Sequence, residues 1–226
     1  MLTLPGGPTR IEWRRNRRAR RVSLRIDPCG GGVVVTLPMR AGRGAGVALL
    51  MNHADWVASR LAALPDAVPF TDGTSVNIGD VPHRIRHVPD GRGGAWLQDG
   101  ELHVAGSAEF LRRRVMDFLR AEALRRLSAL VLVKTATLGV TARRIAVKDT
   151  RSRWGSCAAD GSLAFSWRLV MTPESVQDYV AAHEVAHLKY MNHGKRFWNL
   201  VDRLTPHAST AIPWLRAEGF RLLRVG

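Results

Sequence analysis

Short segments in the N-terminal half alternate apolar and polar residues, a pattern typical of half-buried β-strands. The stretch Val22–Ile26 alternates in this way, and the run Val33–Leu37 follows it after turn residues at 29–32. These two segments are predicted to pair as a β-hairpin. Further short strands are predicted near residues 75–78, 82–87 and 94–104.

A repeat of apolar residues every three to four positions predicts longer helices. The helices are predicted over about residues 45–64, 107–134, 173–191 and 195–204. Residues 143–150 and 162–169 are predicted to be antiparallel strands with a turn at Asp160-Gly161 between them. The fold class is therefore predicted to be α+β, with a β-rich unit carrying one helix over residues 1–105. A mainly helical unit with a small antiparallel hairpin is predicted over residues 106–226.

Length and composition narrow the class of protein. The chain has 226 residues, enough for one large domain or two small ones. No apolar run approaches the length of a membrane span, and the N-terminus lacks the pattern of a signal peptide. These features favour a cytoplasmic protein. The two cysteines, Cys29 and Cys157, are too few for a disulfide framework.

The net charge of +15 raises the question of an anionic partner, above all a nucleic acid. Arginine outnumbers lysine 30 to 4, and alanine and glycine are abundant, which also fits the amino-acid usage of a GC-rich genome. The densest run, Arg14–Arg21, could contact phosphates or form a solvated strand edge. Nucleic acid therefore stays open as a partner.

The strongest chemical signal lies at residues 183–193, His-Glu-Val-Ala-His-Leu-Lys-Tyr-Met-Asn-His. On a helix, His183 and His187 lie one turn apart on the same face, where two imidazoles can bind one Zn²⁺ ion. Glu184 lies next to the first ligand and can reach a water on the metal without binding the metal itself. This is the H-E-x-x-H arrangement of metallopeptidases. The alternative is a helix whose histidines are only packed or solvated.

A third ligand, His193, requires the helix to end before it. A continuing helix would place His193 on a different face, so the site closes only if the chain turns back. Asn192 and Gly194 offer such a break, because both tolerate the left-handed conformation. Three protein ligands with one open position are typical of a catalytic zinc site, whereas a structural site is usually closed by four.

The chain resembles the SprT-like zinc metallopeptidases, and most closely their YgjP-like branch. The resemblance is specific over about residues 140–206 and weaker over the N-terminal half. The matching segments are Arg153–Cys157, Phe165–Leu169, Pro173, Tyr179–Glu184, His187–Lys189 and Asn192–Trp198. The resemblance implies a zincin-like fold in which His183, His187 and His193 bind one zinc ion and Glu184 is the general base.

The leading hypothesis is a zinc-dependent metallopeptidase that hydrolyses peptide bonds through a metal-activated water, with Glu184 as general base. The resemblance also suggests that the segment Arg153–Cys157 runs beside the zinc cleft. An extended substrate could pair with such a strand edge, with Arg153, Trp154 and Gly155 as the candidate contacts. Gly155 would let another backbone come close. For the group that stabilises the oxyanion, the sequence leaves Arg153, Tyr190 and His207 open.

Other functions remain compatible with the motif. The same site could cleave a small amide, act as a nucleic-acid-associated protease or DNA-binding module, or be a zinc-binding scaffold with little turnover. Iron or cobalt could replace zinc, although imidazole ligands favour zinc. The natural substrate is not implied by any of these residues.

Overall fold

The segments of the chain assemble into two compact units in a computed structural model, which describes residues 2–226. The units divide between Ala67 and Val68. The predicted boundary lay near residue 105, because the alternating pattern of the strands before it differs from the helical pattern after it. Alternation shows that one face of a strand is buried, but it does not show which element covers that face.

The first unit contains five strands and two helices. They are β1 (Leu2–Leu4), β2 (Gly7–Thr9), β3 (Ile11–Arg15), β4 (Ser23–Asp27), β5 (Gly32–Leu37), α1 (Arg43–Asn52) and α2 (Ala54–Ala62). The predicted hairpin is confirmed, since β4 and β5 pair antiparallel with Leu24 opposite Val35. β3, which the sequence did not predict, pairs parallel to β5. The helix predicted over 45–64 is broken at His53, whose backbone leaves the helical region.

The second unit contains seven strands and four helices. They are β6 (Ser75–Ile78), β7 (Val81–Val88), β8 (Ala95–Gln98), β9 (Glu101–Ala105), α3 (Leu111–Leu138), β10 (Arg144–Lys148), β11 (Gly155–Cys157), β12 (Ser162–Ser166), α4 (Glu174–Ala186), α5 (Lys195–Leu204) and α6 (Ala208–Leu222). The sheet β6-β7-β9-β8 belongs here because Ile85 and Leu102 are buried in the same core as Leu119 and Leu127 of α3.

The small sheet beside α4 corrects one prediction. β10 and β12 were predicted to be antiparallel neighbours, but they pair parallel. The antiparallel partner of β12 is β11, which lies at the edge of the sheet order β10-β12-β11. The turn at Asp160-Gly161 therefore joins β11 to β12. Residues 167–169, also predicted as strand, lie in the 3₁₀ turn Trp167–Met171.

Together the elements form an α+β protein, as predicted. Across the described residues, we find no helix that is both long enough and apolar enough to cross a membrane.

Candidate metal centre

Helix α4 carries the first two functional side chains. Its apolar residues Val176, Val180 and Val185 are buried in the core of the second unit, which fixes the rotation of the helix. This rotation leaves His183 half-buried and Glu184 only 5% exposed. The helix thus presents an imidazole towards the surface beside a carboxyl group that is almost completely removed from water.

The helix ends earlier than predicted. α4 stops at Ala186, and His187 is its C-cap residue. The chain then forms a turn. The amide of Leu188 donates to the carbonyl oxygen of Val185, and the amide of Tyr190 donates to that of Ala186. The predicted left-handed break at Asn192 or Gly194 is wrong, because neither residue has a positive φ and Gly194 is extended.

This turn also orients His187. Its Nδ1 lies 3.0 Å from the carbonyl oxygen of Tyr190, so the ring donates an Nδ1–H bond to the backbone and keeps Nε2 free. A backbone or carboxylate acceptor on the far nitrogen is the usual support of a metal-binding histidine. The sequence suggested Tyr190 as a side chain for the site; its carbonyl is the group that contacts a site residue.

The chain turns back after α4 and places the third histidine, His193, next to the first two. Gly194 is the N-cap residue of α5, and the segment before it returns His193 to the end of α4. His193 Nε2 lies 3.1 Å from His183 Nε2. Ligand atoms of His183, His187 and His193 all lie within 4.8 Å of one another, so this group could hold a metal ion.

One pair of donor atoms has the spacing of ligands on a tetrahedral metal ion. Nitrogen ligands of a zinc site with bonds of about 2.0–2.1 Å lie roughly 3.3 Å apart, close to the 3.1 Å between His183 and His193. Burial, with smaller contributions from His187 and His193, lowers the pKa of His183 to about 4. Burial likewise lowers the pKa of His187. Both rings are therefore neutral at neutral pH, the form that binds a metal.

Aromatic side chains of α5 pack against the three imidazoles. The ring centroid of Phe197 lies 4.9 Å from His183, 4.5 Å from His187 and 4.7 Å from His193. Trp198, 39% exposed, lies 5.8 Å from His183 and 5.7 Å from His193. The fully buried Phe197 contributes an apolar surface that holds the imidazole rings in place.

Glu184 lies against the backbone of β11. A Cβ atom built on Gly155 would come within 2.4 Å of Glu184 Oε1 and 2.5 Å of its Cγ. Only glycine therefore leaves room for the carboxyl group. Burial raises the pKa of Glu184 to about 7, opposed by the positive charge of Arg153. At neutral pH this carboxyl group can both accept and return a proton.

A cleft of about 400 Å³ opens beside the centre. Its lining residues come from β11 and the residue before it, from α4 and from α6: Trp154, Gly155, Tyr179, Val180, His183, Glu184, Ile212, Leu215 and Arg216. The volume is typical of ligand pockets, and both an imidazole and the buried carboxyl group face it. The site therefore has room for a substrate next to the groups that could act on it.

Of the other residues that the sequence predicted for the site, two line the cleft and two do not. Trp154 and Gly155 line the cleft, while Arg153 acts on Glu184 through its charge. His207 is the N-cap residue of α6 and does not line the cleft, although α6 itself does.

Sequence reasoning missed helix α6 and Tyr179. The apolar residues Ala211, Leu215, Gly219 and Leu222 recur at helical spacing, which could have revealed α6, but Pro213 interrupts the pattern. Tyr179 lies four residues before His183, on the same face of α4, so its position was readable from the helical period.

The fold and the site define a class of protein: an α+β protein with three converging imidazoles beside a buried carboxyl group, as in metallopeptidases. The family model of the YgjP-like metallopeptidase domain matches residues 20–218. Because this match covers most of the chain, the protein belongs to the YgjP-like metallopeptidase family. No curated protein and no solved structure matches the chain.

Proposed function

We propose that this protein is a zinc-dependent peptidase in which His183, His187 and His193 bind one zinc ion. The convergence of one ligand atom from each ring, all within 4.8 Å of one another beside a cleft, is the observation that supports this most strongly. Three imidazole ligands favour zinc over magnesium or calcium, which prefer oxygen ligands. A bound zinc ion would lower the pKa of a water molecule and polarise the carbonyl group of the substrate.

The chain's own residues supply the proton transfers. Glu184 is proposed to accept, on a carboxylate oxygen, a proton from the water whose oxygen forms a bond to the carbonyl carbon of the substrate. As the C–N bond breaks, Glu184 would deliver this proton to the nitrogen of the leaving amine. Its burial supports this role, because removal from water raises the pKa of the carboxyl group and makes it a better proton acceptor than an exposed one. Gly155 allows this position, because it has no side chain in the space that the carboxyl group occupies against β11.

The substrate is proposed to lie along β11. This strand is at the edge of its sheet, so an extended peptide could pair with it through backbone hydrogen bonds. Trp154 and Gly155 line the cleft next to the strand, and exposed Arg153 precedes them. These three residues are therefore proposed as substrate contacts. The same metal centre could cleave small amides, but an edge strand beside the cleft favours a peptide.

The test compares zinc content with hydrolysis. Glu184→Gln is expected to retain zinc and to lose casein cleavage by at least about hundredfold, because a general base contributes 10²–10⁴-fold. His193→Ala is expected to lose both zinc and cleavage. His53→Ala, an exposed histidine in the first unit, is the matched control and should change neither.

Two results would contradict the proposal. Undiminished cleavage by purified Glu184→Gln protein would remove this residue from the mechanism. Casein cleavage that survives a chelator and the loss of His193 would remove the metal centre from it.

A second candidate function, binding of nucleic acid, is favoured by one loop. Residues 16–22, the basic loop, join β3 to β4 and expose Arg17, Arg18, Arg20 and Arg21. Asn16 shapes the loop by accepting a hydrogen bond from the amide of Arg18. None of the four guanidinium groups has an ion pair with a described residue. The first 67 residues hold 11 basic against 4 acidic residues, compared with 23 against 15 in the remainder.

Salt dependence tests the basic loop. If all four arginines contact phosphates of single-stranded DNA, log K should fall against log salt with a slope of about −3. Replacing the four by glutamine should abolish that slope. Replacing four other exposed arginines, Arg86, Arg92, Arg112 and Arg203, should leave it unchanged. No binding of the unaltered protein at low salt would exclude this function.

A further inference from the structure

One cation faces the cleft without a partner among the described residues. Arg216 is exposed and lines the cleft, and no ion pair joins it to another described residue. The nearest acid along α6, Glu218, pairs with Arg221 at 3.3 Å. The positive charge of Arg216 is therefore available to a ligand that enters the cleft.

The position of Arg216 on α6 follows from the helical period. Ile212, Leu215 and Arg216 stand at positions i, i+3 and i+4, so they share one face of the helix. This face lies opposite α4, because Ile212 and Leu215 line the cleft with Val180 and His183. Arg216 thus belongs to the wall of the cleft, where it is also exposed to solvent.

Arg216 shares the cleft with the residues of the metal centre. The same cleft is lined by Tyr179, His183 and Glu184. Tyr179 lies 6.0 Å from His183 between ring centroids. A ligand held by Arg216 would therefore lie in the same cavity as His183 and Glu184.

The remaining wall of the cleft is mainly apolar. Trp154, Ile212 and Leu215 line the cleft together with Arg216, and Trp154 packs closely against Gly219. An apolar pocket with one guanidinium group matches a ligand that has an apolar body and a carboxylate, since arginine binds carboxylates through two parallel hydrogen bonds. A lysine side chain in the cleft would meet a like charge.

We propose that Arg216 binds a carboxylate of the peptide substrate while Ile212, Leu215 and Trp154 hold the adjoining apolar portion. This inference rests on the proposed peptidase function and deepens it, because it assigns a substrate class: peptides with a negative group close to the scissile bond. The carboxylate could be the C-terminal group of the peptide or the side chain of an aspartate or glutamate. Both present the same chemistry to the guanidinium group.

Binding to inactive protein separates this inference from the peptidase function. The protein used is full-length, zinc-loaded Glu184→Gln. The probes are fluorescein-labelled alanine peptides with one leucine, in three series. One series ends in an amide, one in a free carboxylate, and one in an amide with a glutamate at one, two or three residues after the leucine. Fluorescence anisotropy gives the dissociation constants.

The carboxylate peptides are expected to bind about tenfold more tightly than the neutral amide, the effect of one charge-assisted hydrogen-bonding pair at a partly exposed site. Preference for the free C-terminus or for the glutamate series identifies the source of the carboxylate. Adding Arg216→Gln should remove the preference, and Arg216→Lys should keep part of it. Arg221→Gln, on the same helix but outside the cleft, should leave it unchanged.

Equal affinity for acid and amide peptides, or a preference that survives in Arg216→Gln, would overturn the inference. So would the absence of binding by all peptides. In protein with Glu184 intact, Arg216→Gln should raise KM for an acidic peptide with little change in kcat. If casein is not hydrolysed but the preference for acid peptides is present, the peptidase proposal fails and the carboxylate site stands.

Discussion

At the residue scale, the site depends on one close contact between a backbone and a carboxyl group. Gly155 has no side chain, and Glu184 occupies the space that a Cβ atom would need. The same contact explains why Glu184 is almost fully buried although it belongs to an open cleft. Glycine at this position therefore has a steric role in the site.

Gly155→Ala is expected to displace the carboxyl group of Glu184 and to lower peptide cleavage by about hundredfold, since a shift near 1 Å can cost that much. Zinc content should be unchanged, because the three atoms nearest to the added Cβ all belong to Glu184 and not to a histidine. Activity and metal analysis on the same preparation check this. Ser156→Ala, on the same strand, is the control, and full activity in Gly155→Ala would show that the contact is not needed.

At the element scale, buried polar contacts tie the helices around the centre to their neighbours. Lys134 of α3 bonds to Asp178 of α4 at 2.6 Å and to the carbonyl oxygen of Leu204 at 2.9 Å. Arg168 donates to the carbonyl oxygen of Leu222 at 3.0 Å and pairs with Asp149. The ends of α5 and α6 are thus held by charge-assisted bonds, which are stronger than neutral ones.

Helix α3 contains an ion-pair cluster with a testable pH dependence. Glu122 accepts hydrogen bonds from Arg125 and Arg126, and the bond from Arg125 is the main cause that lowers its pKa to about 2. A folded-state pKa below the unfolded value means that the stabilisation is complete above about pH 4.5. It is lost as the pH falls towards 2.

Glu122→Gln is therefore expected to lower the free energy of unfolding by about 1 kcal/mol at pH 7, a value discounted for partial exposure. The difference from unaltered protein should shrink as the pH falls from 5 to 2. Urea unfolding at several pH values measures it. Glu109→Gln, an exposed acid before α3 without an ion pair among the described residues, is the control. A difference that is constant over this pH range would contradict the assignment.

At the scale of the whole molecule, the metal centre and its surroundings belong to the second unit. All three histidines, Glu184 and the cleft lie between residues 154 and 216. The core behind them runs from Phe70 to Leu222 and excludes residues of the first unit. The first unit has its own core around Val35 and Leu50.

Residues 68–226, expressed alone, are expected to bind one zinc ion per chain. A ligand that binds only the folded state stabilises it, by about 2.7 kcal/mol at a hundred times Kd, which corresponds to a Tm increase of roughly 5–10 °C for a chain of this size. Thermal unfolding with and without zinc measures the shift, and His193→Ala in the same fragment should abolish it. A fragment that folds but takes up no zinc would show that the first unit is needed for the centre.

The sequence by itself determined much that depends on local spacing. The period of the α-helix places His183 and His187 on one face and Glu184 beside them, whatever surrounds the helix. The hairpin of β4 and β5 and the range of α5 follow in the same way from neighbouring residues. The family resemblance, found on the motifs of residues 140–206, is confirmed by the match over residues 20–218.

Only the tertiary structure decided what depends on residues distant in the chain. Where the chain turns after Ala186, and hence whether His193 reaches His183, follows from contacts that no helical period contains. Contacts between distant residues also decide the parallel pairing of β10 with β12 and the position of α6 in the wall of the cleft. The spacing of residues along the chain determines which face of a helix or strand is apolar. It does not determine which other element covers that face, because all the elements of the fold compete to bury their apolar surface.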